Sequence, residues 1–148
     1  MNVWLTWIGI LGCFCVNAED ITVRVISAKD GHAFVEDLVQ LVVDAKLPDG
    51  KRGVQRVFNE RERTDADGKA VFHPDVPALS TITAIAGHSQ CSPGTYRSEL
   101  VLRTGVALNQ CGHRPQGKFG LPVHPGEIVI YIGEYSKLEI LLYFPWPG

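Results

Sequence analysis

The chain has no excess of either charge, no internal repeat, no low-complexity tract and no apolar run long enough to cross a bilayer as a helix. Lysine and arginine number 14 against 16 aspartates and glutamates, a formal net charge of −2. A phosphate backbone is held by a field of positive charge, so nucleic acid is not an expected partner. With no self-similarity at periods of roughly 20–50 residues, a solenoid or array is not expected either. The longest uncharged apolar stretch, Val3 to Val16, falls short of the ~20 residues a spanning helix needs. Apolar residues still make up 45% of 148 residues, enough for one domain with a real core.

Motifs that carry chemistry are also missing. The five histidines, His32, His73, His88, His113 and His124, form neither His-x-His nor His-Glu-x-x-His, so no metal site is expected. His113 and His124 share one loop region with Cys111, but a cysteine tied into a disulfide is no ligand. No Gly-x-Ser-x-Gly occurs, although a Ser-His-Asp triad is a spatial arrangement that sequence cannot exclude. Asp65 and Asp67 lie two apart before Gly68, yet a calcium loop needs several more oxygen ligands at defined spacing. They read as a turn, and no cofactor is expected.

What is present is strand and turn chemistry, organised around Thr64-Asp65-Ala66-Asp67-Gly68-Lys69-Ala70-Val71-Phe72. Asp67-Gly68 is a strong turn signal, because glycine takes positive φ freely and aspartate tolerates tight turns. Leu47-Pro48-Asp49-Gly50 repeats that chemistry upstream. Ile21 to Ile26 alternates with period two, Ile21, Val23 and Val25 on one face and Thr22 and Arg24 on the other, which predicts a half-buried strand. Leu38 to Ala45, Gly53 to Phe58, Lys69 to Phe72 and Leu79 to Ala86 read as further strands. The charged run Glu60 to Arg63 reads as a solvated strand end or loop. His73 to Pro77 contains two prolines, which remove ladder donors and exclude a central strand.

The first eighteen residues read as a signal peptide rather than as part of the fold. Val3 to Val16 suits an h-region, Val16-Asn17-Ala18 supplies small residues at −3 and −1, and Glu19-Asp20 opens a polar chain. Cleavage after Ala18 is predicted. Met1-Asn2 brings no basic side chain to the n-region. Ile10-Leu11-Gly12-Cys13 also resembles a bacterial lipobox, with Leu11 where that motif carries a small residue, so a lipidated Cys13 stands as an alternative. Cleavage after Ala18 leaves Cys91 and Cys111, 20 residues apart. An even count in an exported chain predicts a disulfide, which would contribute roughly 3 kcal/mol through the loop it closes.

The succession of a first strand, an Ala-Lys-Asp-Gly turn at Ala28 to Gly31, a Val/Leu-rich strand, Thr64 to Phe72 and a proline-bearing segment resembles the carboxypeptidase regulatory-like domains. These are similar to transthyretin in being seven-stranded β-sandwiches. The resemblance covers about Ile21 to Ala86, rests on turn chemistry, and implies a Greek-key-type β-sandwich serving as an accessory module without catalytic residues. The chain lacks the close histidine pair of the intradiol dioxygenases, which use a related sandwich around iron. Tyr96-Arg97-Ser98 lacks the glycine of the C-terminal Tyr-Arg-Gly-Ser of the transthyretin-like hydrolases and lies mid-chain.

Residues 87–125 depart from that pattern and read as an insertion bounded by the disulfide. Thr95 is the predicted N-cap of a helix over Tyr96 to Arg103, with Gly105 just past its end and Arg103 suited to its dipole. A cysteine-bounded helix followed by Pro125-Gly126-Glu127 and a strand also resembles small exported proteins of soil bacteria without an assigned role. His113 to Pro125 reads as loop. Glu127 to Ile132 is apolar on both faces and reads as a central strand. Tyr135 to Gly148 reads as a terminal helix or aromatic segment packed on the sandwich, or as an exposed patch touching a membrane or partner.

The expectation is therefore a signal peptide over residues 1–18 and one mainly β domain over 19–148. It is secreted or periplasmic, non-enzymatic, and acts in binding or as a cell-envelope component. Its partners would be another envelope protein or the membrane surface. Tyr96, His113, His124 and Trp146 are the candidate binding residues. The alternatives are a small enzyme whose site gathers His88, His113 and His124 with Glu99 and Tyr96, and a peripheral membrane protein held by Cys13 or by the C-terminal aromatic residues.

Overall fold

The computed structural model describes residues 20–47, 53–88, 93–109 and 120–133. Eight strands and one helix occur among them: β1 Ile21–Ser27, β2 Leu38–Lys46, β3 Val54–Arg63, β4 Lys69–Phe72, β5 Ser80–Ala86, β6 Gly94–Arg97, α1 Ser98–Thr104, β7 Val106–Asn109 and β8 Glu127–Ile132. They form two four-stranded sheets, ordered β4-β1-β8-β7 and β3-β2-β5-β6, called sheets A and B below.

Alternation decides which side chains meet between the sheets. Ile21, Val23 and Val25 of β1 and Ile128, Ile130 and Ile132 of β8 share one buried cluster with Val39, Leu41 and Val43 of β2 and Ile82 and Ala84 of β5. Phe72 closes the core from β4 and meets Phe58 of β3 edge to face, ring centroids 6.4 Å apart, a favoured aromatic geometry. β8 pairs in parallel with both β1 and β7 and all six of its residues are buried, as its two-faced apolar sequence predicts. The central turn closes through Asp65: its carboxylate accepts from the Asp67 and Lys69 backbone N–H groups at 2.9 Å. Gly68 follows at φ 73, with Val25 O 2.6 Å from where a Cβ would stand, so only glycine fits this turn.

Two expectations change. The sandwich has eight strands among the described residues rather than seven, because the region expected as an insertion supplies β6 to sheet B and β7 to sheet A. The helix begins at Ser98, not Tyr96, and Thr95 is not its N-cap. Arg97 holds that position in an extended conformation with no side-chain cap hydrogen bond. Thr95 and Tyr96 instead pair with Thr83 and Ile82 of β5, where a sheet edge offers the backbone a ladder and the branched and aromatic side chains a pleated surface. Of the two readings of Glu60 to Arg63, the solvated strand end holds: these residues are the exposed end of β3, paired with β2 to the last residue. Gly105 does stand at the helix C-terminus, at φ 68 with its N–H donating to Val101 O at 2.9 Å.

The signal-peptide residues, Cys13, Cys91, Cys111, His113, Trp146 and the segment from Tyr135 onward lie outside the described residues, and with them the predicted disulfide and lipidation. No helix among the described residues is long and apolar enough to cross a membrane.

Candidate functional site

The two outer faces differ in kind. On sheet A the outward residues include Ile26, Val129 and Tyr131, all buried in a second apolar cluster against which Val123 packs. The Leu121 N–H donates to the Tyr131 hydroxyl at 3.0 Å, so the segment before β8 lies over this face. Arg24 on β1 and Glu127 on β8 form an ion pair there with little solvent access, and Arg24 Nε lies 2.9 Å from Glu127 Oε1. Glu127 Oε2 also accepts the His124 N–H at 3.0 Å.

On sheet B the outward face is polar and cationic. Register sets its composition: Leu38, Gln40, Val42, Asp44 and Lys46 of β2 stand opposite Arg63, Arg61, Asn59, Arg56 and Val54 of β3. Gln40, Val42 and Asp44 are flanked on the other side by Ile85, Thr83 and Thr81 of β5, and Thr83 and Thr81 by Thr95 and Arg97 of β6. Five cations, Lys46, Arg56, Arg61, Arg63 and Arg97, thus share a face with one carboxylate, Asp44. Asp44 accepts from Arg56 at 3.2 Å. Gln40 donates to Asn59 at 2.6 Å, and the Thr83 and Thr95 hydroxyls meet at 2.8 Å. Glu60 and Glu62 pair with the inward Leu41 and Val39, so strand periodicity puts the acids of Asn59-Glu60-Arg61-Glu62-Arg63 on one side and the arginines on the other.

Beside Arg97 the sheet runs into a hollow of about 350 Å³ lined by Arg97, Glu99, Leu100, Arg103 and Thr104. Glu99 pairs there with Arg97 at 3.5 Å and with Arg103, one helical turn on, at 3.2 Å.

A second cluster stands where the β1–β2 loop meets the turn after β5. Asp37 is buried, and its backbone N–H donates to Thr64 Oγ1 at 2.9 Å. The Thr64 hydroxyl donates in turn to Phe34 O at 2.5 Å. Asp37 Oδ1 accepts from His88 Nδ1 at 2.8 Å, while Oδ2 is buried with no hydrogen-bond partner among the described residues. This contact orients the His88 ring, whose side chain is 64% exposed. Phe34 contacts the rings of both His32 and His88, at 5.0 and 5.6 Å. His32 Nδ1 lies 2.6 Å from Asp30. The Ser27 hydroxyl first, then the His32 ring and backbone N–H, hold the Asp30 carboxyl down to about 2. Among the described residues no hydroxyl or thiol is hydrogen-bonded to His88, and no group of three His, Cys, Asp or Glu side chains is placed to hold a metal.

The candidate residues named from sequence separate in space. Tyr96 lies opposite the inward Ile82 and packs against the core, where burial pushes its hydroxyl above the usual tyrosine range. His124 is exposed in the turn before β8, its carbonyl accepting the Glu127 N–H at 3.0 Å. Glu99 is engaged with two arginines on α1, and His88 with Asp37. No hydrogen bond or ring contact joins any two of these four. The sequence alone did not show the sheet B face, because register across three strand pairs composes it; the period of two in Glu60 to Arg63 is the available signal. Asp37 and His88 are 51 positions apart and left no sequence signal. Comparison of the chain with protein-family models, with curated proteins and with solved structures finds no match.

Proposed function

We propose that this chain is an exported, non-enzymatic β-sandwich module, of the carboxypeptidase regulatory-like kind, that works by binding through the outer face of sheet B. One observation carries the reading: a chain with formal net charge −2 presents five cations against one carboxylate on a single sheet face. Such a field attracts and orients an oppositely charged partner. The turn motifs of Ala28 to Phe72 support the family assignment, and the apolar leader before Glu19 supports export.

Two measurements test it. The intact mass of native protein, fractionated by compartment with and without reductant, is expected to match Glu19 to Gly148 less two hydrogens, the product of cleavage after Ala18 and a Cys91–Cys111 bridge. A mass beginning at Cys13 plus lipid would replace the soluble form with an anchored one. For binding, the purified protein is expected to be retained on an anionic matrix at low salt, and R61E/R63E to abolish retention. Turnover of a broad hydrolytic and oxidative substrate panel would overturn the non-enzymatic reading.

The His88–Asp37 pair favours a second reading, a small enzyme whose base is an imidazole oriented by a buried carboxylate. Turnover lost in His88→Ala and retained in R61E/R63E would select it.

A further inference from the structure

We infer that the partner of the sheet B face is an acidic polysaccharide, laid across the strands with its carboxylate or sulfate groups on the arginines. This rests on the binding reading above and names its ligand class.

Three features of the face select that chemistry. First, the cations sit on both edge strands, Arg56, Arg61 and Arg63 on β3 and Arg97 on β6, and the two edges are roughly 14 Å apart across three strand spacings. Arg61 and Arg63 are two residues apart on one face, roughly 7 Å. Arginine's planar fork matches carboxylate and sulfate oxygens in a two-pronged contact that lysine cannot make. Second, the strands between those edges carry Gln40, Thr81 and Thr83 around Val42, Ile85 and Asp44, with Asn59 and Thr95 beside them on the edge strands. The amides and hydroxyls are short donors and acceptors suited to sugar hydroxyls, and they already hydrogen-bond across strands. Third, none of the outward residues in that register is aromatic. Bases bind single-stranded sites by stacking on aromatic rings, and protein interfaces centre on buried aromatic anchors. A polyanion held through its acid and hydroxyl groups alone fits this surface better than a nucleic acid or a protein. Edge protection by charge accounts for charged side chains on β3 and on β6, the two edges of the sheet, but not for the hydroxyl and amide groups beside them.

Glu99 places a carboxylate within ion-pair distance of Arg97, where a ligand acid would sit. Glu99→Gln therefore removes a built-in competitor and is expected to tighten binding.

The test uses the full mature chain, with polygalacturonate, heparin fragments and neutral dextran as probes in calorimetry and affinity electrophoresis. Single-stranded DNA and anionic phospholipid vesicles serve as rival polyanions. The expected result is binding of at least one acidic polysaccharide, none of dextran, and affinity falling steeply from about 50 to about 200 mM salt. R61A/R63A should weaken binding about tenfold or more, as should R61Q/R97Q, which removes one arginine from each edge. E60Q/E62Q, on the other side of the same strand, should leave it intact. Equal or tighter binding of DNA or vesicles through the same arginines would overturn the polysaccharide while leaving the binding reading standing. Failure of every polyanion to bind at low salt would overturn both. Loss of binding in E60Q/E62Q equal to that in R61A/R63A would overturn the assignment to this face. Circular dichroism melts confirm that each variant is folded.

Discussion

Sheets A and B are built from the same number of strands and meet in one core, yet their outer faces have opposite fates. Sheet A encloses an ion pair, Arg24 with Glu127, and an apolar cluster around Val129 and Tyr131. Sheet B turns its arginines to water. An arginine is therefore enclosed by the fold on one sheet and exposed to solvent on the other. Removing one partner of an enclosed pair strands a charge out of water, whereas an exposed cation has solvent as its alternative partner.

The largest expected effect comes from making the same substitution on both sheets. Arg24→Ala should lower stability by about 3 kcal/mol or more by leaving Glu127 enclosed and uncompensated. Arg61→Ala should stay within about 0.5 kcal/mol. Urea titrations of the two variants check this, and equal losses would erase the distinction between the faces. Double replacement of Arg24 and Glu127 by methionine should recover much of the loss.

Next comes a hydroxyl test. Val129→Thr, at a fully buried position on sheet A, should cost about 1–3 kcal/mol for a hydroxyl without a partner. Val57→Thr, on the exposed bulge of β3, should be nearly neutral. Thr64→Val tests the junction between the sheets. It leaves the Asp37 N–H and the Phe34 carbonyl without their partner, at an expected cost of about 1–3 kcal/mol in thermal or urea unfolding.

The smallest effect is acid titration of the exposed loop. The Asp30 carboxyl is depressed to about 2, so it binds its proton more weakly in the folded chain than in the unfolded one. Its contribution to stability is present above the unfolded value of 3.8 and is lost as pH falls through the folded value of about 2. Asp30→Asn should remove that small acid-range dependence. Carbon-detected NMR of the Asp30 carboxyl should show a midpoint near 2.

Most strands were legible because local pattern determines them. Ile21 to Ile26 carries a period of two, and Lys69 to Phe72 and Glu127 to Ile132 are short apolar runs that follow turns; tertiary packing reinforces all three. Gly68 was legible because a turn at positive φ requires a residue without a Cβ. Tyr96 was misread because Thr95 to Arg103 satisfies helix spacing locally, and only the free edge of β5 makes extended backbone the better state for its first residues. Val106 to Asn109 is too short to announce itself and becomes strand because β8 offers it a parallel ladder. Asp37 and His88 meet through the pairing of β2 with β5, which brings Val39 opposite Ala86, a contact distant in sequence.

The sequence by itself determined the β class, the turns at Asp30-Gly31 and Asp67-Gly68, and the identity of the buried faces, because periodicity of two and glycine's freedom act over a few neighbouring residues. The tertiary structure alone decided that sheet A's outer face is covered and that the arginines of sheet B are exposed. It also decided that arginines from two distant strands share one surface and that Asp37 is enclosed beside His88. Those outcomes depend on strand order and register, which are set by the summed packing of the whole core.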